Sequence, residues 1–175
     1  MMKYDKYMFV DAETDGLYGR ILSIAALVCD SKGNEIETFD HYCSVTEEDI
    51  EDPWVKEHVY PILKTGIEEK DEHSLLCSFW NFYKKQSDCA IIGDVTYPVE
   101  CRVFEKCVRM DLPGRAFEGP FPLMDLSSML YAKGYDPLTE RYDLVADKIM
   151  FNQHSAIDDV RMAKEIWKNL IIEKI

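Results

Sequence analysis

No run in the 175-residue chain approaches the ~20 consecutive apolar residues of a membrane-spanning helix, so no membrane association is expected. Nor does an apolar run of signal-peptide length follow Met1 to Lys6 before Asp11, which points to a soluble, cytoplasmic protein. The six cysteines (Cys29, Cys43, Cys77, Cys89, Cys101 and Cys107) include no CxxC pair. That spacing argues against a zinc site, and without a secretion signal the cysteines read as reduced, mostly buried thiols. Repeats, low-complexity tracts and Gly/Ser linkers are absent, and the length suits a single domain over residues 1–175. Positive charge is scarce: 20 Lys and Arg stand against 33 Asp and Glu, a net charge of −13. A module that holds nucleic acid by neutralising phosphates should be basic, so a sequence-reading DNA-binding module is disfavoured. An enzyme that meets phosphate through bound metal is not.

What is present is an ordinary globular mixture, 47% hydrophobic and 30% charged. A chain of this size buries roughly 70% of its unfolded surface and needs no covalent staple. Tyr7–Asp11, Ile21–Cys29 and Glu35–Cys43 read as three strands of an antiparallel meander, the last two joined by the turn Ser31-Lys32-Gly33-Asn34. The acidic run Glu47–Asp52 reads as a solvated loop or helix start. Asp52-Pro53 can open a helix, and Asp71 can cap a second one running to about Lys85. In that second helix Leu75, Leu76, Phe79, Trp80 and Tyr83 recur at helical spacing as core; a base-stacking platform is the other reading. Cys89–Gly93 then reads as a buried strand, Pro98–Cys107 as a helix with Pro98 at its first position, and Pro122–Met124 as a short strand. Asp125 caps Leu126–Ala132, and a last helix spans about Ser155–Leu170. Strands first, then strand–helix alternation, predicts an α/β or α+β fold on a mixed sheet.

Two segments carry chemistry. In Phe9-Val10-Asp11-Ala12-Glu13-Thr14-Asp15-Gly16-Leu17, strand alternation puts Asp11 and Glu13 on one face. Two neighbouring carboxylates at the end of an apolar strand repel unless a cation sits between them, although an exposed acidic turn would leave the same pattern. Far away, His154-Ser155-Ala156-Ile157-Asp158-Asp159 leads into the last amphipathic helix. Acids in a first helical turn are common because the helix dipole favours them, and a histidine there is often a packing residue. Each segment is ambiguous by itself.

Together, a D-x-E strand near the N-terminus and H-x4-D near the C-terminus resemble the DEDDh exonucleases. That family includes the proofreading exonuclease subunits of DNA polymerases, ribonuclease T and oligoribonuclease. The resemblance covers roughly Met8 to Lys168, and Pro122–Ser128 matches the joint that precedes the third motif. It implies an α/β, ribonuclease H-like fold: a central mixed five-stranded sheet, three antiparallel N-terminal strands among them, flanked by helices. It implies 3′-to-5′ removal of nucleoside monophosphates from single-stranded nucleic acid by two-metal hydrolysis, with two Mg²⁺ or Mn²⁺ ions per site.

By the same resemblance Asp11, Glu13 and Asp159 hold the ions, with Asp11 between them, and His154 is the general base. Thr14, Gly16 and Leu17 lie beside the terminal nucleotide, where glycine permits close backbone approach and Leu17 can wedge against a base. Asp158 would replace Asp159 only if the last helix began late.

The middle motif departs from the family pattern. In Ile91-Ile92-Gly93-Asp94-Val95-Thr96-Tyr97-Pro98-Val99-Glu100 the usual Phe-Asp pair is missing. Either Asp94 or Glu100 must supply the acid, with Glu100 preferred because it falls in a first helical turn. Otherwise the protein is a catalytically impaired module that binds a nucleic-acid end or a protein. RNA is weakly favoured over DNA from the compact chain, and a homodimer is a candidate assembly because related enzymes often form one.

Overall fold

The computed structural model describes residues 4–146, 151–152 and 154–172. Its centre is a six-stranded mixed sheet in the order β4-β3-β2-β1-β5-β6. Strands β1 (Lys6–Thr14), β2 (Ile21–Asp30) and β3 (Glu35–Cys43) form the expected antiparallel meander, and β5 (Cys89–Gly93) pairs parallel to β1. β6 (Leu123–Asp125) adds parallel to β5. The sixth strand, β4 (Ile67–Glu69), corrects the five-stranded expectation. It is three residues long, mostly exposed and not alternating, so nothing local marks it. Its register against His41–Cys43 creates it, and a 2.8 Å contact between His41 Nδ1 and Glu69 Oε1 secures it.

The period-2 alternation of β1 divides the core between the two faces of the sheet. Met8, Val10 and Ala12 pack with α2 (Glu72–Lys85) and α3 (Val99–Arg109), where Phe79, Val103 and Phe104 are buried. Tyr7 and Phe9 pack on the opposite face with α5 (Leu126–Ala132) and α6 (Ala156–Ile166). Wider π-helical turns continue α6 over Trp167–Ile172, and the Trp167 ring lies 4.4 Å from Tyr7 and 5.6 Å from Phe9. β2 is covered on both faces and is therefore apolar along nearly its whole length. Trp80 and Tyr83 of α2 are buried, so that aromatic row is core and offers no base-stacking platform.

Aspartates start the helices as the sequence suggests. Asp52 accepts from Trp54 and Val55 N–H at the start of α1 (Pro53–His58), Asp71 from Ser74 N–H, and Asp125 from Ser128 N–H. Helix α3 begins one residue later than expected. The Pro98 carbonyl accepts from Arg102 N–H, so Pro98 caps the helix and Val99 is its first residue. A short α4 (Leu112–Arg115) follows. Four of the six cysteines are buried and all are free thiols. Among the described residues no helix is long and apolar enough to cross a membrane.

One feature of the sheet prepares a cleft. β5 matches β1 only from Lys6 to Phe9, whereas β2 accompanies β1 to Thr14. Beyond Phe9 the β5-side edge of β1 faces the loop after β5, and side chains from α3 and α6 can reach it.

Candidate active site

Asp11 and Glu13 continue the parity of Tyr7 and Phe9, opposite Ala25 and Ser23 of β2. The small partners leave room above them, and a register shift between Glu13 and Thr14 ends the regular pairing. Asp159, in the first turn of α6, comes to the same place. One carboxylate oxygen from each of Asp11, Glu13 and Asp159 lies within 4.8 Å of the others. Asp158, its neighbour, turns away: its Oδ2 accepts from Asn152 N–H at 3.0 Å and from Asn152 Nδ2 at 2.8 Å. The helix therefore starts early enough to present Asp159, and the late-start alternative is not realised.

Glu100 enters from α3. Its side chain is 4% exposed, and its Oε2 is buried without a hydrogen-bond partner. Gly93 makes the approach possible, since a Cβ there would meet Thr96 Cγ2 at 2.9 Å and Glu100 Cγ at 3.3 Å. Burial and the Asp11 and Asp94 carboxylates push Glu100 up to about 9. Burial, aided by Asp94, lifts Asp11 to about 7; burial with Asp11 and Asp158 lifts Asp159 to about 8. Glu13 is raised by burial and by Asp11, Asp159 and Glu100. These shifts share one cause: several acids crowd one partly buried place without a compensating charge.

Asp94 has found its compensation elsewhere. Arg141 Nε donates to both of its oxygens at 2.7 and 2.8 Å. The same guanidinium donates to the carbonyls of Pro137 and Thr139 and to Ser127 Oγ, so it ties the 137–141 loop to the end of β5. Burial raises Asp94 and Arg141 opposes that rise.

His154 has a left-handed backbone, φ 63°, a conformation uncommon for a residue with a side chain. Its ring stands edge-on to Trp54, 4.9 Å between centroids, and Trp54 stacks on His58 at 4.8 Å. Burial, then His58, lowers the pKa of His154, which favours the neutral imidazole that can accept a proton. With Asp11, Asp94, Arg141 and Asp159, His154 lines a cavity of about 450 Å³. A second cavity of about 290 Å³ opens over Glu13, Thr14, Gly16, Leu17 and Trp54. The structure thus brings the three residues expected beside a terminal nucleotide to one hollow. Gly16 has φ 69°, and a Cβ there would lie 3.0 Å from Asp52 Oδ2, so the position suits glycine twice over.

Three supporting groups escaped the sequence. Arg102 donates to the carbonyls of Leu17, Tyr18 and Gly19 at 2.7–2.9 Å. Asp15 accepts from Glu51 and Asp52 N–H, docking the acidic loop on the D-x-E motif. Arg141 fixes Asp94. Each acts across 36 or more positions of sequence in these contacts, and no local pattern could have signalled them.

The donor set is suited to a hard divalent cation. All candidate ligands are carboxylates: Asp11, Glu13 and Asp159 are half-buried and mutually repelling, and the buried Oε2 of Glu100 has no partner. Fold and site define a nuclease-type α/β domain with an acidic cluster at the end of its central strand. The RNase_T exonuclease family model matches residues 8–167, and the chain belongs to that family, the DEDDh-type exonucleases of the ribonuclease H-like superfamily. No curated protein matches the sequence. Solved structures share the fold. The zinc-bound complex of E. coli exonuclease I with single-stranded DNA superposes with a TM-score of 0.68 at 18% identity, covering 98% of this chain and 41% of that one. Exonuclease I from Methylocaldum szegediense gives 0.66 at 15% identity, covering 97% and 40%. The chain spans about two fifths of the length of these exonucleases.

Proposed function

We propose that the protein is a metal-dependent 3′-to-5′ exonuclease that hydrolyses the last phosphodiester bond of a single-stranded 3′ end and releases nucleoside monophosphates. The observation that carries this reading is the convergence of Asp11, Glu13, Asp159 and Glu100 from three elements, with one buried Glu100 oxygen unpartnered. Asp11, Glu13 and Asp159 would hold two Mg²⁺ or Mn²⁺ ions, with Glu100 as the middle acid. When bound, such ions supply Lewis-acid charge for the scissile phosphate and for the attacking water. His154 accepts the proton of that water on a ring nitrogen, and its lowered pKa keeps the ring ready to do so near neutral pH. Asp94 serves as an outer support, held by Arg141. Thr14, Gly16 and Leu17 receive the terminal nucleotide, and Trp54 lines the same hollow.

The substrate is a free single-stranded end. The E. coli neighbour is named for single-stranded DNA, so DNA belongs in the first assay beside RNA. The competing reading, an impaired binding module, rests on the irregular middle motif; the Glu100 carboxylate beside Asp11 speaks against it. Digestion of matched 3′-labelled and 5′-labelled RNA and DNA oligonucleotides with Mg²⁺, Mn²⁺ or EDTA tests the proposal. Stepwise loss from the 3′ end in either metal, and none in EDTA, is the expected result. Full hydrolysis in EDTA, or no release in both metals, overturns it.

A further inference from the structure

The 15–20 loop joins β1 to β2 and carries Gly16 and Leu17 of the hollow expected to take the terminal nucleotide. Its own residues hold it weakly. Leu17 and Tyr18 are 62% and 65% exposed, so neither side chain anchors the tip in the core. Gly16 has φ 69°, and a Cβ on Gly19 would meet the Asp15 carbonyl oxygen at 1.8 Å, so two positions of the loop call for glycine. Glycine gives up more conformational freedom on ordering than any other residue. The base of the loop is tied down. Asp15 N–H donates to the Arg20 carbonyl, the Asp15 carboxylate accepts from Glu51 and Asp52 N–H, and Arg20 Nη2 donates to the Asp49 carbonyl. The tip, residues 17–19, lies beyond these bonds.

Arg102 of α3 holds the tip. Its Nη1 donates to the Leu17 carbonyl at 2.9 Å, and its Nη2 donates to those of Tyr18 and Gly19 at 2.7 and 2.8 Å. A planar guanidinium presents its donors in a fixed fork and so matches a row of carbonyls that a single ammonium does not span. Both terminal nitrogens are committed to backbone oxygens, so Arg102 acts on the loop and not on a phosphate. Its place on α3 matters as much as its bonds. Glu100, the proposed middle acid, and Val99, which lines the hollow, occupy the same turn of that helix. One helical turn therefore fixes the tip of the loop, part of the hollow and one acid relative to each other.

We propose that Arg102 is a positioning residue for the 3′ end: its fork clamps the 17–19 carbonyls to α3 and so sets Gly16 and Leu17 at a fixed distance from the acids before a strand arrives. This rests on the exonuclease reading above. Without the clamp the loop must be ordered as the terminal nucleotide enters, which weakens binding. A bound end meets the same acids in either case. The loss is therefore shared by the ground state and the transition state, and it appears in KM while kcat holds.

The test is steady-state hydrolysis of a labelled oligonucleotide in Mn²⁺, with amide hydrogen exchange of the free proteins beside it. Arg102→Ala should raise KM by about 10-fold or more, keep kcat within about threefold, and speed exchange of the 17–20 amides by about tenfold or more. Arg102→Lys keeps the charge but not the fork, so its KM should stay at least about fivefold above that of the unsubstituted protein. The lysine variant decides the matter if the alanine variant does not fold. In a Leu17→Ala background, Arg102→Ala should add less than about twofold to KM, because the clamp works through that residue. An unchanged KM in the Arg102 variants overturns the clamp, and so does full additivity with Leu17→Ala. Complete rescue by lysine overturns it by assigning Arg102 a charge role. A fall in kcat with unchanged KM overturns it as well, since that is the mark of a support for α3 alone. If the unsubstituted protein releases no nucleotide, the exonuclease reading itself fails and the clamp goes with it.

Discussion

Asp94 and Glu100 compete for one role, and the structure gives them opposite physical situations that paired substitutions can separate. Asp94→Asn replaces the acceptor of Arg141 by an amide that can take one Nε bond instead of two. Removing one partner of a buried ion pair costs ~3–5 kcal/mol. Here Arg141 keeps its bonds to Pro137, Thr139 and Ser127, and the substituted amide retains an acceptor oxygen, so a loss of about 1–3 kcal/mol is expected. Glu100→Gln meets the reverse case. Glu100 is pushed up to about 9 and is therefore neutral at pH 7 without metal, so an amide of the same shape changes metal-free stability by less than about 1 kcal/mol. Urea unfolding at pH 7 in EDTA measures both stabilities. Turnover of a labelled oligonucleotide at saturating Mn²⁺ completes the comparison. Asp94→Asn should stay within about tenfold of the parent once folded, whereas Glu100→Gln should lose about 100-fold or more of a rate that depends on placed charge. A folded Asp94→Asn without activity beside a fully active Glu100→Gln would refute the assignment.

His154→Ala should lower kcat by about 10²–10⁴-fold and leave oligonucleotide affinity nearly unchanged, because a general base acts in the transition state; collapsed binding with unchanged single-turnover cleavage would remove His154 from that role. Metal-free stability should fall as pH rises from about 5 to about 8. Asp11 and Asp159 sit at about 7 and 8 in the folded protein against 3.8 as ordinary aspartates, so the native state binds more protons over that window. Their contribution is fully present below about pH 4 and lost as pH climbs through 7–8, and Mn²⁺ should restore it; a flat or rising urea midpoint in EDTA between pH 5 and 8 would contradict the crowding of these acids.

The amino-acid sequence by itself determined the meander, the strand–helix alternation after it and the same-face pair Asp11 and Glu13. Each follows from a local period or a capping residue. It also determined that Thr14, Gly16 and Leu17 would share a neighbourhood, since they follow Glu13 directly. Tertiary structure decided what depends on distant partners. β4 exists only because β3 lends it a register, and Pro98 caps α3 because its carbonyl accepts the first helical bond. Asp159 and not Asp158 faces Asp11 because the start of α6 sets the rotation of the helix, and Asn152 occupies the other acid. The pairing of Asp94 with Arg141 bridges 47 residues of chain and forms only after folding. Side-chain electrostatics acts through space, so the charge that claims one carboxylate and leaves the next unpaired could be found only in three dimensions.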